Sequence, residues 1–173
     1  MSENIAGVVL AGGRSKRMGS DKALLQYKGK PLLEYMQDIL YRSGFANVYI
    51  SGQLEGYECE RDDQPFSGPA MAIQSVINRM PQHKGFLFIP VDMPLLEPEL
   101  LRLLVQLDES CYFANWPLPA FIKSAQYSPN GSDTSVKKIL KKSNAKSLSV
   151  PEQYVGSMIN ANSPEDWKKV LES

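Results

Sequence analysis

At 173 residues, 43% apolar and 22% charged, the chain has the composition of an ordinary globular protein, and its length suits one domain over 1–173 that buries about 70% of its unfolded surface. Nineteen cations balance nineteen acids, and a formal net charge of zero argues against nucleic acid as a partner and for a small ligand held in one cleft. No apolar run approaches the ~20 residues a membrane span needs, and Met1-Ser2-Glu3-Asn4 lacks the basic start of a signal peptide, so the expected location is cytoplasmic.

Ile5 to Ala11 is a short apolar run of the kind that forms a strand buried on both faces. Gly12 and Gly13 end it and let a ligand approach the main chain closely. Arg14, Lys16 and Arg17 follow, then Gly19, with Lys22 after Asp21. A strand that breaks into a glycine-rich, cation-rich loop presents backbone N–H groups and positive charge to phosphates. It is neither a P-loop nor a dinucleotide fingerprint. Five residues separate Gly13 from Gly19, Ser20 stands where the P-loop lysine belongs, and Gly12 and Gly13 are adjacent.

Tyr27-Lys28-Gly29-Lys30 reads as a turn, and Pro31 suits the first turn of a helix whose Leu32, Leu33, Met36, Ile39 and Leu40 recur at helical spacing until Gly44. Asn47 to Ser51 is a second strand, which makes a parallel β-loop-α-β unit. Gln53 to Phe66 is polar and irregular. A helix runs from Pro69 to about Met80, and Pro81 to Gly85 reads as an exposed turn carrying His83, the only histidine. Phe86 to Val91 is the next buried strand and ends in Asp92-Met93-Pro94. Glu97-Pro98-Glu99 opens a leucine-rich helix to about Leu107.

Cys111 to Ala114 and Ala120 to Ile122 read as short strands around Asn115-Trp116-Pro117-Leu118-Pro119. Ser132-Asp133-Thr134 is expected to cap a helix from Ser135 to Lys142, Tyr154 to Ile159 to form a final strand, and Ser163-Pro164-Glu165-Asp166 to start the last helix. Cys59 and Cys111 have no metal-ligand or CxxC spacing and read as free thiols. Strands alternating with helices give an α/β fold, a mainly parallel sheet with helices on both faces, whose ligands bind beyond the carboxyl ends of the strands. The Gly12 loop, Ser51 and Asp92 all fall at that edge.

Asp92 follows a buried apolar strand. Read locally, it either caps the next turn or joins substrate phosphates in holding Mg²⁺. Asp62 and Asp63 lie in the polar loop ahead of Gly68-Pro69. Asn160 and Asn162 suit turn formation and substrate contact equally. Lys137, Lys138, Lys141 and Lys142 make a basic helical face of the kind that is usually solvated.

Leu10-Ala11-Gly12-Gly13, Ser15, Arg17-Met18-Gly19 and Asp21-Lys22 together resemble the opening motif of the molybdenum cofactor guanylyltransferases, within the nucleotidyltransferase superfamily. Val91-Asp92-Met93-Pro94, Gly68-Pro69-Ala70-Met71-Ala72-Ile73 and Ile159-Asn160-Ala161-Asn162-Ser163-Pro164-Glu165 resemble later family segments. The resemblance implies a three-layer Rossmann-like fold and transfer of GMP from GTP to molybdopterin. It assigns the nucleotide to Leu10, Ala11, Gly12, Gly13, Ser15, Lys22, Ser51, Asp62 and Asp92. It gives Lys22, Arg17 and Asp92 catalytic roles, Asp92 a bound Mg²⁺, and Asn160 and Asn162 a place facing substrate. It also implies transient contact with molybdoenzymes or cofactor-delivery proteins. Ser51 stands where the family often has asparagine, Met71 and Ala72 replace the usual Ala-Gly, and the hairpin near Asn115–Pro119 is short. Two other readings stay open on these residues: a sibling transferase using CTP or a sugar phosphate, and an inactive GTP-binding delivery module.

Overall fold

A computed structural model describes residues 4–12, 21–60 and 67–173. The expectations for Gly13, Ser15, Arg17 and Asp62 therefore fall outside the described residues.

Strand β1 (Ile5–Leu10) is buried everywhere but at Ile5. It lies in parallel between β4 (Asn47–Ser51) and β5 (Gly85–Pro90), with Leu10 level with both Ser51 and Pro90. β2 (Gln26–Tyr27) and β3 (Lys30–Pro31) form a separate small hairpin before helix α1 (Leu32–Arg42), so Pro31 stands just outside the helix. Helices α2 (Pro69–Arg79) and α3 (Pro98–Gln106) flank β5 in sequence. Beyond α3 come β6 (Cys111–Phe113), β7 (Trp116–Lys123), α4 (Val136–Lys142), β8 (Lys146–Leu148) and α5 (Pro164–Leu171).

The six-stranded sheet has the order β4-β1-β5-β7-β6-β8. Only β7 runs against its neighbours, because a tight hairpin joins it to β6. Alternate residues feed the two faces. Val9, Leu87, Ile89 and Phe121 join α1, α3 and α5 in one core, while Val8, Phe86, Phe88 and Ile122 join α2 and α4 in the other. The expected layers are therefore present, and no described helix is long and apolar enough to cross a membrane.

Gly85 is dictated by packing. A Cβ there would stand 2.6 Å from the ring of Phe121, which is itself only 1% exposed and cannot withdraw. Gly85→Ala is expected to destabilise the fold by about 1–3 kcal/mol, the usual cost of overpacking. A lowered urea midpoint, partly restored by adding Phe121→Leu, would show it.

Several expectations need correction. Tyr154 to Ile159 is not a strand: Glu152–Ser157 winds as a 3₁₀ turn, started by Pro151 and closed by Met158 N donating to the Val155 carbonyl at 3.2 Å. The last strand is β8, a short edge strand too polar and exposed to read as one. Ser135 caps α4 by accepting from Lys138 N, whereas Asp133 is buried. Its carboxylate accepts from Tyr127 Oη at 2.6 Å and meets Lys142 Nζ at 2.6 Å. Burial alone would raise the Asp133 carboxyl, but these two partners outweigh it and hold it below its ordinary value. β7 extends well beyond Ala120–Ile122 and includes Trp116.

His83 lies in a turn but is only 6% exposed, beside Tyr49 Oη at 3.1 Å and edge-on to Phe86. Burial lowers its pKa. Both cysteines are free, and burial pushes the Cys111 thiol up to about 12, which leaves it unreactive.

Candidate active site

The carboxyl ends of β1, β4 and β5 meet at one edge. Ala11 N donates to the Ser51 carbonyl at 2.9 Å and Val91 N to the Leu10 carbonyl at 3.2 Å, which fixes the backbone just before the glycine loop. Gly52, at φ +153°, brings the chain after β4 against that loop; a Cβ there would stand 3.1 Å from Gly12 N. Ser51 itself is fully buried and does not line the cavity described below; its carbonyl holds Ala11 N.

Lys22 opens a 3₁₀ turn that Asp21 caps by accepting from Ala23 N at 3.1 Å. Its Nζ donates to Asn162 Oδ1 at 3.0 Å and stands 3.7 Å from Asp92 Oδ2. Asn160 Nδ2 donates to Asp92 Oδ1 at 3.3 Å, and Ala161 N donates to the Asp92 carbonyl at 2.7 Å. Asn160 and Ala161 thus clip the segment before α5 onto the turn after β5, and Asn162 joins it to Lys22. Lys22 and Asp92, far apart in sequence, thus stand side by side in the fold. Their 3.7 Å separation is a charge contact without a hydrogen bond, so Lys22 keeps donors for an incoming anion.

Lys22, Asp92 and Asn160 line a cavity of about 530 Å³. Leu10, Ala11 and Gly12 at the end of β1 line it, as do Asn115, Trp116 and Leu118 of the β6–β7 hairpin. Trp116 Nε1 donates to the Met158 carbonyl at 3.0 Å and so ties the hairpin to the chain ahead of Asn160. Pro69 and Ala72 also line the cavity, so α2 presents its N-terminal end there, begun by Gly68 at φ +91° without a side-chain cap. The positive end of the helix dipole adds to Lys22 in favouring an anion.

No group of three or more His, Cys, Asp or Glu is close enough to cage a metal among the described residues. Asp92, with the amide of Asn160 beside it, does match the donor-poor way Mg²⁺ is held, by one carboxylate and substrate phosphate oxygens. Sequence reasoning did not single out Asp21 as a cap, although the Asp-Lys pair before a turn was a signal for it. Trp116 is placed on the cavity wall by the β6–β7 hairpin.

Residues 7–117 match the model of the MobA-like NTP transferase domain. The chain belongs to this family. The matched span carries Lys22, Asp92 and Trp116, while Asn160 and Asn162 lie beyond it. The MobA-like chain is also 34% identical to a molybdenum cofactor guanylyltransferase of Xanthomonas euvesicatoria, over 95% of this chain and 93% of that protein. It is 25% identical to a probable molybdenum cofactor guanylyltransferase of Natranaerobius thermophilus, over 98% and 96% of the two chains. The crystal structure of molybdopterin-guanine dinucleotide biosynthesis protein A from Archaeoglobus fulgidus has the same fold, with a TM-score of 0.77 at 19% identity over 96% and 97% of the two chains.

Proposed function

We propose that this chain transfers GMP from GTP to the terminal phosphate of molybdopterin and releases pyrophosphate. The observation that carries the reading is the approach of Lys22 to within 3.7 Å of Asp92, in a cavity bounded by the Ala11–Gly12 backbone. Family membership and the guanylyltransferase relatives support the same reaction.

In this mechanism the backbone of Leu10, Ala11, Gly12 and Gly13 holds the nucleoside, with Asp62 contributing from its loop. Lys22, aided by Ser15 and Arg17, neutralises the triphosphate, and Asn162 steers the Lys22 ammonium. Asp92 would hold Mg²⁺, which when bound would neutralise charge on the phosphate oxygens. An oxygen of the acceptor phosphate forms a bond to the α-phosphorus while the bond from that phosphorus to the bridging oxygen breaks, and pyrophosphate carries away the electron pair. The attacking oxygen is already anionic, so no protein base is needed. Catalysis rests on alignment and charge stabilisation. Two free thiols suit a cytoplasmic enzyme of this kind.

The test is pyrophosphate release with each of the four NTPs, with and without molybdopterin. Release is expected only with GTP and molybdopterin together. Release with CTP instead would reassign the base, and none with any pair would end the transferase reading.

A further inference from the structure

Residues 158–162, which carry Asn160 and Asn162 into the site, take neither helix nor strand form. A stretch without a ladder owes its shape to separate points of attachment, whose bonds must offset its backbone freedom. At one end the α5 cap fixes Ser163. In the middle Asn160 and Ala161 meet Asp92, and Asn162 meets Lys22. At the other end Met158 is buried, and its carbonyl accepts from Trp116 Nε1 at 3.0 Å.

Trp116 is a firm place to anchor that end. It is the first residue of β7 and pairs with Phe113, which is fully buried. Asn115, at φ +71°, turns the hairpin, and Ala114 N donates to the Leu148 carbonyl of β8 at 2.8 Å. Trp116 also packs against the core that holds α1, α3 and α5. An indole N–H can only donate, and among the described residues its partner is the Met158 carbonyl. From Met158 the main chain runs two residues to Asn160, whose amide donates to Asp92 Oδ1, while Oδ2 of the same carboxylate faces Lys22. How Asp92 is turned thus depends on Asn160, and Asn160 depends on where Met158 is held.

On the guanylyltransferase reading above, in which Asp92 holds Mg²⁺, we infer that Trp116 is a positioning residue. It works through its N–H and the Met158 main chain, which set Asn160 and so fix the orientation of the Asp92 carboxylate. The indole needs to touch neither nucleotide nor acceptor for this. A carboxylate free to swing holds an ion in fewer of its orientations, so losing the bond weakens the metal site and leaves the site's positive charge in place. Lys22 stands on its own turn, capped by Asp21, and does not depend on the indole for its position.

The test removes the donor in two ways. Trp116→Phe keeps an aromatic ring on the hairpin. Exchange of Trp116 for benzothienylalanine keeps the shape of the indole without its N–H; it is made in a Trp167→Phe parent, since the chain has two tryptophans. GTP is titrated calorimetrically with and without Mg²⁺. With Mg²⁺, both variants are expected to bind GTP about fivefold more weakly than their parents, the worth of one hydrogen bond. Without it they should stay within about twofold. The kcat for pyrophosphate release should fall roughly tenfold, as for a small misplacement, with the KM for molybdopterin unchanged. Adding Trp116→Phe to Asn160→Ala should cost no more than about twofold further, because both act on one clip. Unchanged titrations with Mg²⁺ would leave the bond a matter of fold alone and overturn the inference, with guanylyl transfer intact. A raised molybdopterin KM would make the indole an acceptor contact, and full additivity with Asn160→Ala would break the route through Asn160; each overturns it too. If the wild type itself gains nothing from Mg²⁺ in binding GTP, the metal reading falls and the inference with it.

Discussion

Lys22→Ala is expected to lower kcat by roughly two to three orders of magnitude, the effect of deleting one donor that stabilises developing charge. The structure separates this loss from a loss of fold. Lys22 does not pack in either core. Among the described residues its polar partners are Asn162 at 3.0 Å and Asp92 at 3.7 Å, and Asp92 keeps Asn160 when the lysine is gone. A partly exposed pair of that length contributes on the order of 1 kcal/mol or less, so thermal unfolding should shift by only a few degrees. Lys22→Arg should recover little, because a planar fork cannot replace an ammonium held between Asn162 and a phosphate. Near-normal turnover by Lys22→Ala in the pyrophosphate assay would remove Lys22 from the mechanism.

What could be read from the sequence was whatever leaves a local mark. The β1 run followed by glycines and cations, and Asp92 at the close of an apolar strand, stand out because such residues have few packing reasons to be there, and both fall at the carboxyl edge of the sheet. The capping box of α5 is equally local: Ser163 accepts from Asp166 N, and the Asp166 carboxylate accepts from Ser163 N. Contacts between distant parts of the chain left no such mark. Asn162 meets Lys22 across 140 residues of sequence, and an Asn-x-Asn turn looks the same whether it caps a helix or grips a lysine. His83 reads as an exposed turn residue because its neighbours Tyr49 and Phe86 come from β4 and β5. The strand expected at Tyr154–Ile159 does not form, because Pro151 and Gly156 favour a turn there.

Asp92→Asn should remove both activity and its dependence on Mg²⁺. The substitution is nearly isosteric. The backbone carbonyl that receives Ala161 N is untouched, and the new amide can still meet Asn160, so the turn after β5 should hold its shape. What disappears is one negative charge beside Lys22. If that charge holds the metal, turnover should fall at least about a thousandfold, since a metal on phosphoryl oxygens supplies several kcal/mol, and the residual rate should not respond to Mg²⁺ or to EDTA. A second readout needs no turnover. Without a divalent ion, the wild-type carboxylate faces the triphosphate unneutralised and competes for Lys22, so metal-free GTP should bind the variant at least as tightly as it binds the wild type. With Mg²⁺ present the order should reverse. A carboxylate that merely capped its turn would leave both titrations unchanged. An Asp92→Asn protein that still requires Mg²⁺ and turns over normally would move the metal elsewhere.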